Sequence, residues 1–463
     1  MASVITAPVY DPVTTATALA EKYVAARRDL LASQTRIAAA TERGLTDLGA
    51  AISAFQTSLA ALTGTGKSMY AQSATFSDAD IGSGTASPTA APGTYAFFVE
   101  KLAASSQVAF SGLKEDTGVG GELVIEMGGA PAFKVNMTTA DSDGNGKLTP
   151  RELAAAINSA PGNAAKVTAS IITTGTTSEL VLTAKATGEN TKITINTSGI
   201  TSPANSSLVA AKGTMRTLVK AQDAVIRIGT EDGTAVTQGS NTFTNVDGVS
   251  MTFTKAQATG APPVSITVGQ DLAKTTANVQ SFIDAYNKLR TSLAKLTFAG
   301  DPEANSAAGI FANDGGVRAL QDRLVSVMRP LSGSSLASFG IIAAKDGTLE
   351  LRSDRLKSQL ALDPNGLDKL VGSTSAASPS GIANELEKYL KVWSDSANGQ
   401  IAKRKSATQE LQSTQRDREA LIDQQFDAAY KRYLGQFTQL QTMQSIMNSN
   451  VSLFDALFGN DKD

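Results

Sequence analysis

Heptad spacing of apolar residues near both ends of the chain constrains this fold most. On the N-terminal side the spacings are 3, 4, 3, 4 and 3, at Leu45, Leu48, Ile52, Phe55, Leu59 and Leu62. This spacing predicts a long helix that packs in a coiled coil. Upstream, Leu19, Tyr23, Ala26 and Leu30 continue the spacing, but the many alanines make that apolar stripe thinner.

The C-terminal side mirrors this pattern. After a polar stretch over residues 403–423, apolar residues take a/d-type positions at Phe426, Tyr430, Tyr433, Phe437, Leu440 and Met447. An apolar terminus follows, at Val451, Leu453, Phe454, Leu457 and Phe458. Two interpretations remain open: the two helices pack on one core, or they pair with another subunit.

Between the two ends the apolar period changes to two. Pairs such as Leu123/Ile125 and Met251/Phe253 recur between turn residues, which is typical of antiparallel sheets. The segment Gly82–Gly93 is interpreted as a flexible link into this part. From about Leu272 a second inner helix is predicted, because residues 279–296 repeat the 3–4 spacing without error.

These patterns predict a multidomain α+β fold. A helical coiled-coil leg is formed by both chain ends, and β-rich globular head domains are inserted between them. The predicted boundaries are 1–42 and 425–463 for terminal leg helices that are partly disordered when free. A helical stalk follows over 43–85 and 272–424, and a β-rich head of two small domains over 90–270.

The composition excludes many kinds of catalytic site. The chain has no Cys and no His. It therefore lacks disulfides, thiolate nucleophiles, Ser-His-Asp triads and the usual transition-metal sites. A net charge of −2 provides no single-sign field, so no nucleic-acid partner is expected. The first residues do not resemble a secretory signal, and no apolar run approaches the ~18 residues of a membrane span, so no membrane insertion is expected.

One segment resembles a calcium-binding loop. Residues 141–152 match the EF-hand pattern, with oxygen donors at Asp141, Asp143, Asn145, Thr149 and Glu152, and with the backbone carbonyl of Lys147 at position 7. The helix that should precede such a loop is missing, because residues 133–137 are predicted as a strand. The same residues also suit a plain turn in which Thr149 caps the next helix. No cofactor is required, and the motif predicts at most a structural Ca²⁺ ion.

Several further motifs together carry a resemblance to a known family. Gly93–Ala103 (GTYAFFVEKLA) is similar to a GTYxFxVxxLA strand, and Phe282–Leu289 (FIDAYNKL) is similar to an FVxAYNxL helix. Shorter matches lie at 165–172, 180–188 and 221–249, and at 340–349. In this order and spacing the set resembles the flagellar filament cap family, flagellar hook-associated protein 2.

The resemblance implies an extracellular structural protein at the tip of the bacterial flagellum, with no enzymatic activity. Such proteins form a homo-oligomeric ring that holds exported flagellin and helps it to fold and insert. They leave by the flagellar type III pathway without a cleaved signal peptide. Expected partners are flagellin, the hook–filament junction protein and an export chaperone at the C-terminus.

The residues expected to pack in the leg or between subunits are the heptad residues of both ends: Leu45, Leu48, Ile52, Phe55 and Leu59, with Phe426, Tyr430, Tyr433, Phe437 and Leu440.

Two alternative functions compete with this interpretation. A secreted adhesin could use the β-rich head to bind host mucin or glycans, but aromatics make up only 5% of the chain. A glycosidase could use carboxylates of the head, Glu122, Glu126, Asp116 and Glu189, yet nothing sets a pair at a defined separation.

Overall fold

A computed structural model describes residues 11–174, 177–201, 206–329 and 335–458. By its internal contacts the chain divides into two compact units. The helical unit comprises 1–69 and 276–463, and the β-rich unit comprises 70–275. The predicted α+β fold, with helical ends around a β-rich middle, is confirmed.

The α-helices of the described residues are as follows. They are α1 (Pro12–Thr63), α2 (Pro150–Ser159), α3 (Ser207–Ala211), α4 (Leu272–Thr297), α5 (Gly315–Val327), α6 (Ser353–Leu362), α7 (Gly366–Val371), α8 (Gly381–Ser394) and α9 (Gln400–Phe458).

The strands fall mainly in the β-rich unit. They are β1 (Gln72–Phe76), β2 (Gly82–Ala86), β3 (Gly93–Lys101), β4 (Gln107–Phe110), β5 (Asp116–Thr117), β6 (Gly120–Met127), β7 (Ala130–Asn136), β8 (Lys147–Leu148), β9 (Val167–Thr174), β10 (Thr177–Ala184), β11 (Ile193–Asn196), β12 (Ile200–Thr201), β13 (Arg216–Val219), β14 (Ala224–Ile228), β15 (Thr234–Gln238), β16 (Thr242–Val246), β17 (Val249–Phe253), β18 (Val264–Gln270), β19 (Ile341–Ala343) and β20 (Leu349–Leu351).

The N-terminus of helix α1 is capped by residue types that are common at helix starts. The Asp11 carboxylate accepts hydrogen bonds from the backbone amides of Val13 and Thr14, and Pro12 takes the first helical position. Both choices are typical of helix N-termini, because they satisfy amides that have no partner inside the helix. The predicted partial disorder of the terminal leg helices falls, for residues 1–10, outside the described residues.

The predicted inner helix is confirmed as α4. Its heptad residues Val279, Phe282, Tyr286, Leu289 and Leu293 are each at most 1% exposed. This face packs in the core of the helical unit, so the uninterrupted 3–4 spacing is that of a helix buried along its length.

The β-rich unit contains two cores. The first lines an eight-stranded sheet of order β15-β14-β3-β18-β1-β2-β17-β16, in which every neighbouring pair is antiparallel. Its buried residues run from Ala74 to Val268. The alternating residues of the sequence, such as Val264, Ile266 and Val268, all point into this core.

The second core belongs to an insert between β3 and β14. It joins two four-stranded sheets, β13-β4-β10-β9 and β11-β6-β12 with β7, to helix α2, and its buried residues run from Val108 to Ala211. Where the chain enters and leaves this insert, Ala104 and Gln222 form a β-bridge with N···O distances of 2.9 and 3.2 Å. The insert is therefore tied to the sheet that carries it where the chain enters and leaves, and the Thr187 hydroxyl adds a hydrogen bond to the Gly239 carbonyl oxygen at 2.6 Å.

The interpretation of Gly82–Gly93 as a flexible link is wrong for its first half. Residues 82–86 form strand β2, which lies between β1 and β17 inside the eight-stranded sheet. The glycines are required by close packing, since a Cβ on Gly82 would lie 2.5 Å from the Thr252 carbonyl oxygen. The domain boundaries stay predictions.

Candidate functional site

The five N-terminal leg residues form a continuous buried stripe on α1. Leu45, Leu48, Ile52, Phe55 and Leu59 are each at most 2% exposed. The Phe55 ring lies 6.4 Å from that of Phe282 and 6.3 Å from that of Tyr286 on α4. These residues pack within one chain, which agrees with the first of the two interpretations of the heptads, and they offer no surface to a second subunit.

The five C-terminal leg residues behave differently. Phe426, Tyr430, Tyr433 and Phe437 are half-buried on α9, and Leu440 is 44% exposed. The Phe426 ring stacks on the Tyr430 ring at 6.4 Å. Phe426 also packs on a small core of Val24, Leu31 and Ile422 between α1 and α9. Their role in an assembly stays a prediction.

Polar and aromatic contacts fix the register of α1 against α9. Arg28 forms an ion pair with Asp423 at 2.8 Å, and Arg27 Nη1 donates to the Gln425 amide oxygen at 2.8 Å. Further along, the Arg432 guanidinium lies 5.8 Å from the Tyr23 ring centre and 4.8 Å from the Tyr433 ring centre. The two helices run antiparallel, and cation–π contacts add to the packing of the buried Ala20 and Val24 where α1 is rich in alanine.

The apolar terminus of α9 is exposed in the described residues. Val451, Leu453, Phe454 and Leu457 are 44% to 67% exposed, and the side chain of Phe458 lies outside them. In the described residues no helix is both long enough and apolar enough to span a bilayer.

The predicted calcium loop brings three carboxylates together. One oxygen each of Asp141, Asp143 and Glu152 lies within 4.8 Å of the others. Asp141 accepts hydrogen bonds from the amides of Gly144 at 2.9 Å and Gly146 at 2.7 Å, which closes the turn. Oxygens on opposite sides of a Ca²⁺ ion, each ~2.3–2.6 Å from it, are separated by about the same distance.

The other predicted ligands are engaged locally. The Asn145 side-chain oxygen accepts from the Lys147 amide at 2.8 Å, while Lys147 Nζ pairs with Glu115 at 2.6 Å. Thr149 and Glu152 form a reciprocal capping box at the start of α2, and strand β7 stands where an EF-hand has its incoming helix. The predicted capping of α2 by Thr149 is thereby confirmed, and it is compatible with an ion in the loop.

Glu152 is held as a carboxylate by four donors. The amide and hydroxyl of Thr149, followed by those of Ser142, lower the pKa of the Glu152 carboxyl to about 2. Because metal ligands must be deprotonated, this residue carries the right charge at neutral pH for a hard dication.

The carboxylates considered for a glycosidase are engaged in structural contacts. Glu122 pairs with Lys134 at 2.7 Å, and Glu126 accepts from Thr194 and Asn196. Asp116 accepts from the amides of Ser207 and Leu208. Such contacts fix strands and a helix start.

Comparison with known proteins gives consistent results. Residues 10–106 match the family model for the flagellar hook-associated protein 2 N-terminus, and residues 221–449 match that for its C-terminus. The chain is 32% identical over 431 residues to the B-type flagellar hook-associated protein 2 of Pseudomonas aeruginosa, covering 88% of this chain and 87% of that protein. It is 29% identical over 371 residues to the lateral flagellar hook-associated protein 2 of Vibrio parahaemolyticus, covering 78% and 80%.

A solved structure supports the fold. The crystal structure of the D1-D2-D3 domains of the flagellar cap protein FliD from Escherichia coli matches with a TM-score of 0.59 at 23% identity, over 79% of this chain and 99% of that chain. The calcium-like loop lies outside both matched family ranges.

Proposed function

This chain belongs to the flagellar hook-associated protein 2 family, whose role is to cap the flagellar filament, and on that premise we propose that its copies form a ring at the filament tip. The ring would hold flagellin that emerges from the export channel, and help it to fold and insert. The protein acts as a structural part rather than as an enzyme.

One observation carries the proposal. Helices from the two sides of the sequence, α1 and α9, pack together, and the C-terminal half of α9 keeps aromatic residues half-exposed. Their exposed apolar surface is buried only when another chain covers it, and each Å² buried stabilises the contact by roughly 25 cal/mol. Tyr430, Tyr433 and Phe437 therefore suit contacts with a neighbouring subunit or with the filament.

The remaining partners follow from the same premise. We propose export through the flagellar type III pathway, with a chaperone on the exposed apolar terminus of α9. The hook–filament junction protein would contact the leg before the first flagellin arrives. The relatives reported above give no support to a mucin- or glycan-binding adhesin.

Electron microscopy of the purified full-length chain tests the ring. We expect rings or stacked plates, because subunits with complementary surfaces close into symmetric assemblies. Dispersed monomers at high protein concentration would contradict the proposal.

We also propose that the loop at 141–152 binds a structural Ca²⁺ ion. Three clustered carboxylates, the Asn145 amide oxygen and a backbone carbonyl form an all-oxygen donor set, which hard dications prefer. Binding would stabilise the insert, because an ion that binds only the folded state shifts the unfolding equilibrium.

Titration calorimetry with CaCl₂ on the full-length protein checks this prediction. We expect binding heat and a rise in the melting temperature of the β-rich unit, both lost in Asp141→Asn, which removes a charge but can still accept the turn's hydrogen bonds. Asp232→Asn, outside the loop, serves as the control and should bind as the wild type does. If the wild type shows no binding heat and no shift in melting temperature, the proposed Ca²⁺ site is contradicted.

A further inference from the structure

Helix α1 carries a second apolar stripe that its own chain leaves largely exposed, although the Arg432 guanidinium of α9 lies 5.8 Å from the Tyr23 ring centre. Tyr23, Leu30 and Ile37 recur every seven residues and are 46%, 61% and 58% exposed. Small residues between and after them complete a 3–4 spacing, at Ala26, Ser33 and Ala40. We call these six residues the outer stripe. Its large residues precede the α9-facing residues Val24, Leu31 and Ala38 by one position, which turns the stripe about 100° around the helix.

The outer stripe has basic flanks. Lys22, Arg36 and Arg43 border it and are exposed, against a single acidic neighbour, Asp29. Within the part of the chain that the structure describes, no ion pair involves these three basic residues. A helix with two heptad stripes contacts two helices at once, and charges beside a stripe select the second partner.

A matching surface exists at the end of α9. We call residues 442–458 the α9 end segment. Four of its apolar residues share one helix face and are 57% to 67% exposed: Met443, Ile446, Met447 and Leu457. The sequence has no Lys or Arg between Arg432 and Lys462. A segment without basic residues can approach the basic flanks of the outer stripe without repulsion.

Within one chain these two surfaces lie far apart. The pairs Arg28–Asp423 and Glu42–Gln412 fix α1 and α9 as antiparallel. With equal rise on both helices, Pro12 lies level with about residue 441, so the α9 end segment extends beyond the start of α1. The middle of this segment is then about 40 Å from the middle of the outer stripe, although both surfaces are about 25 Å long.

We propose that the outer stripe of α1 receives the α9 end segment of a second copy. This inference rests on the proposed ring in that it names where neighbouring legs meet. Each copy offers one stripe and one segment of equal length, so the contact is head-to-tail, and it forms a ring if the rotation closes. It extends the α1–α9 packing within one chain by adding a third helix.

Cysteine cross-linking tests this contact directly, because the chain has no Cys of its own. Full-length copies with Ala26→Cys, Ser33→Cys or Ala40→Cys are mixed with differently tagged copies carrying Met447→Cys, and are mildly oxidised. Ala25→Cys and Ala32→Cys, one position away and exposed, serve as matched controls. A disulfide needs Cα atoms within ~7 Å, so same-chain distances of about 30 Å or more exclude internal cross-links.

We expect mixed cross-linked dimers from the outer-stripe positions and far fewer from the controls. Leu30→Asp should lower the yield by on the order of tenfold, since it buries an unpaired charge, whereas Ala25→Asp should leave it unchanged. Met447→Asp should lower the cross-linking yield as Leu30→Asp does. In that variant the cysteine is placed at Ser445 or Ile446, because position 447 is occupied. An unaffected yield there would leave the α9 end segment to another partner, such as a chaperone, and overturn the inference.

Equal yields at stripe and control positions would also overturn it. Rings seen by electron microscopy without stripe cross-links would overturn this contact alone and leave the proposed cap standing. Stripe cross-links without rings would support the contact and contradict the ring. The absence of both rings and stripe cross-links would contradict both the proposed ring and the proposed contact.

Discussion

A chain that ends at Gln424 should keep its β-rich unit folded and lose filament capping. The truncation removes Phe426, Tyr430, Tyr433, Phe437 and Leu440, and it deprives α1 of its partner near Tyr23. Both cores of the β-rich unit lie between Ala74 and Val268, and they contain no residue of α9.

Bacteria that lack their own cap protein and produce this chain provide the measurement. We expect no filaments by electron microscopy from the Gln424 truncation, against full-length filaments from a truncation after Phe458 that keeps all of α9. Circular dichroism of the purified truncation should retain the strand signal and its melting transition. Filaments of normal length from the Gln424 truncation would show that the C-terminal half of α9 is not needed for capping.

Phe55→Ala should destabilise the helical unit by about 3–5 kcal/mol, as for other fully buried aromatic residues. Its ring is 2% exposed and meets Phe282 and Tyr286, so the truncation leaves a cavity beside two large side chains that cannot both move into it. The residues are fixed on two long helices, which limits relaxation of the surrounding core.

The single tryptophan makes this measurement specific. Trp393 lies in the helical unit and is 5% exposed, so its fluorescence reports the denaturant unfolding of that unit alone. Val13→Ala on the same helix, at a position that is 52% exposed and outside the outer stripe, is the control and should change the free energy of unfolding by less than about 0.5 kcal/mol. A loss below about 1 kcal/mol for Phe55→Ala would mean that the core refills the space.

The periodic segments were predictable because burial selects one face of each element. The Leu45–Leu59 stripe of α1, the α4 heptad and the alternating strands all lie where their spacing indicates. The predicted continuation of that stripe at Tyr23 and Leu30 is wrong, because these side chains are 46% and 61% exposed while Val24 and Leu31 face α9. Strand β2 was missed because Gly82-Ser-Gly-Thr-Ala86 has the composition of a linker. Its glycines serve contact, since a Cβ on Gly84 would lie 3.0 Å from that of Ala74 on β1.

The candidate sites also differ in how far the sequence could predict them. The turn at 141–152 was predictable because the hydrogen bonds of Asp141, Thr149 and Glu152 join residues at most ten positions apart, so that the local sequence determines them. The α1–α9 register was not, because Arg28 and Asp423 are 395 positions apart and the spacing of neither helix indicates its partner. For the same reason the heptads could not distinguish the fully buried Leu45–Leu59 stripe from the half-exposed residues of α9.

The bridge between Ala104 and Gln222 has a consequence for variation among relatives. Because the chain leaves and rejoins the eight-stranded sheet at adjacent, hydrogen-bonded positions, everything in between is a module whose two ends nearly touch. A replacement whose termini are equally close would leave the strand pairing of the eight-stranded sheet unchanged. The insert is thus a position where segments can be exchanged or grafted while that sheet stays the same.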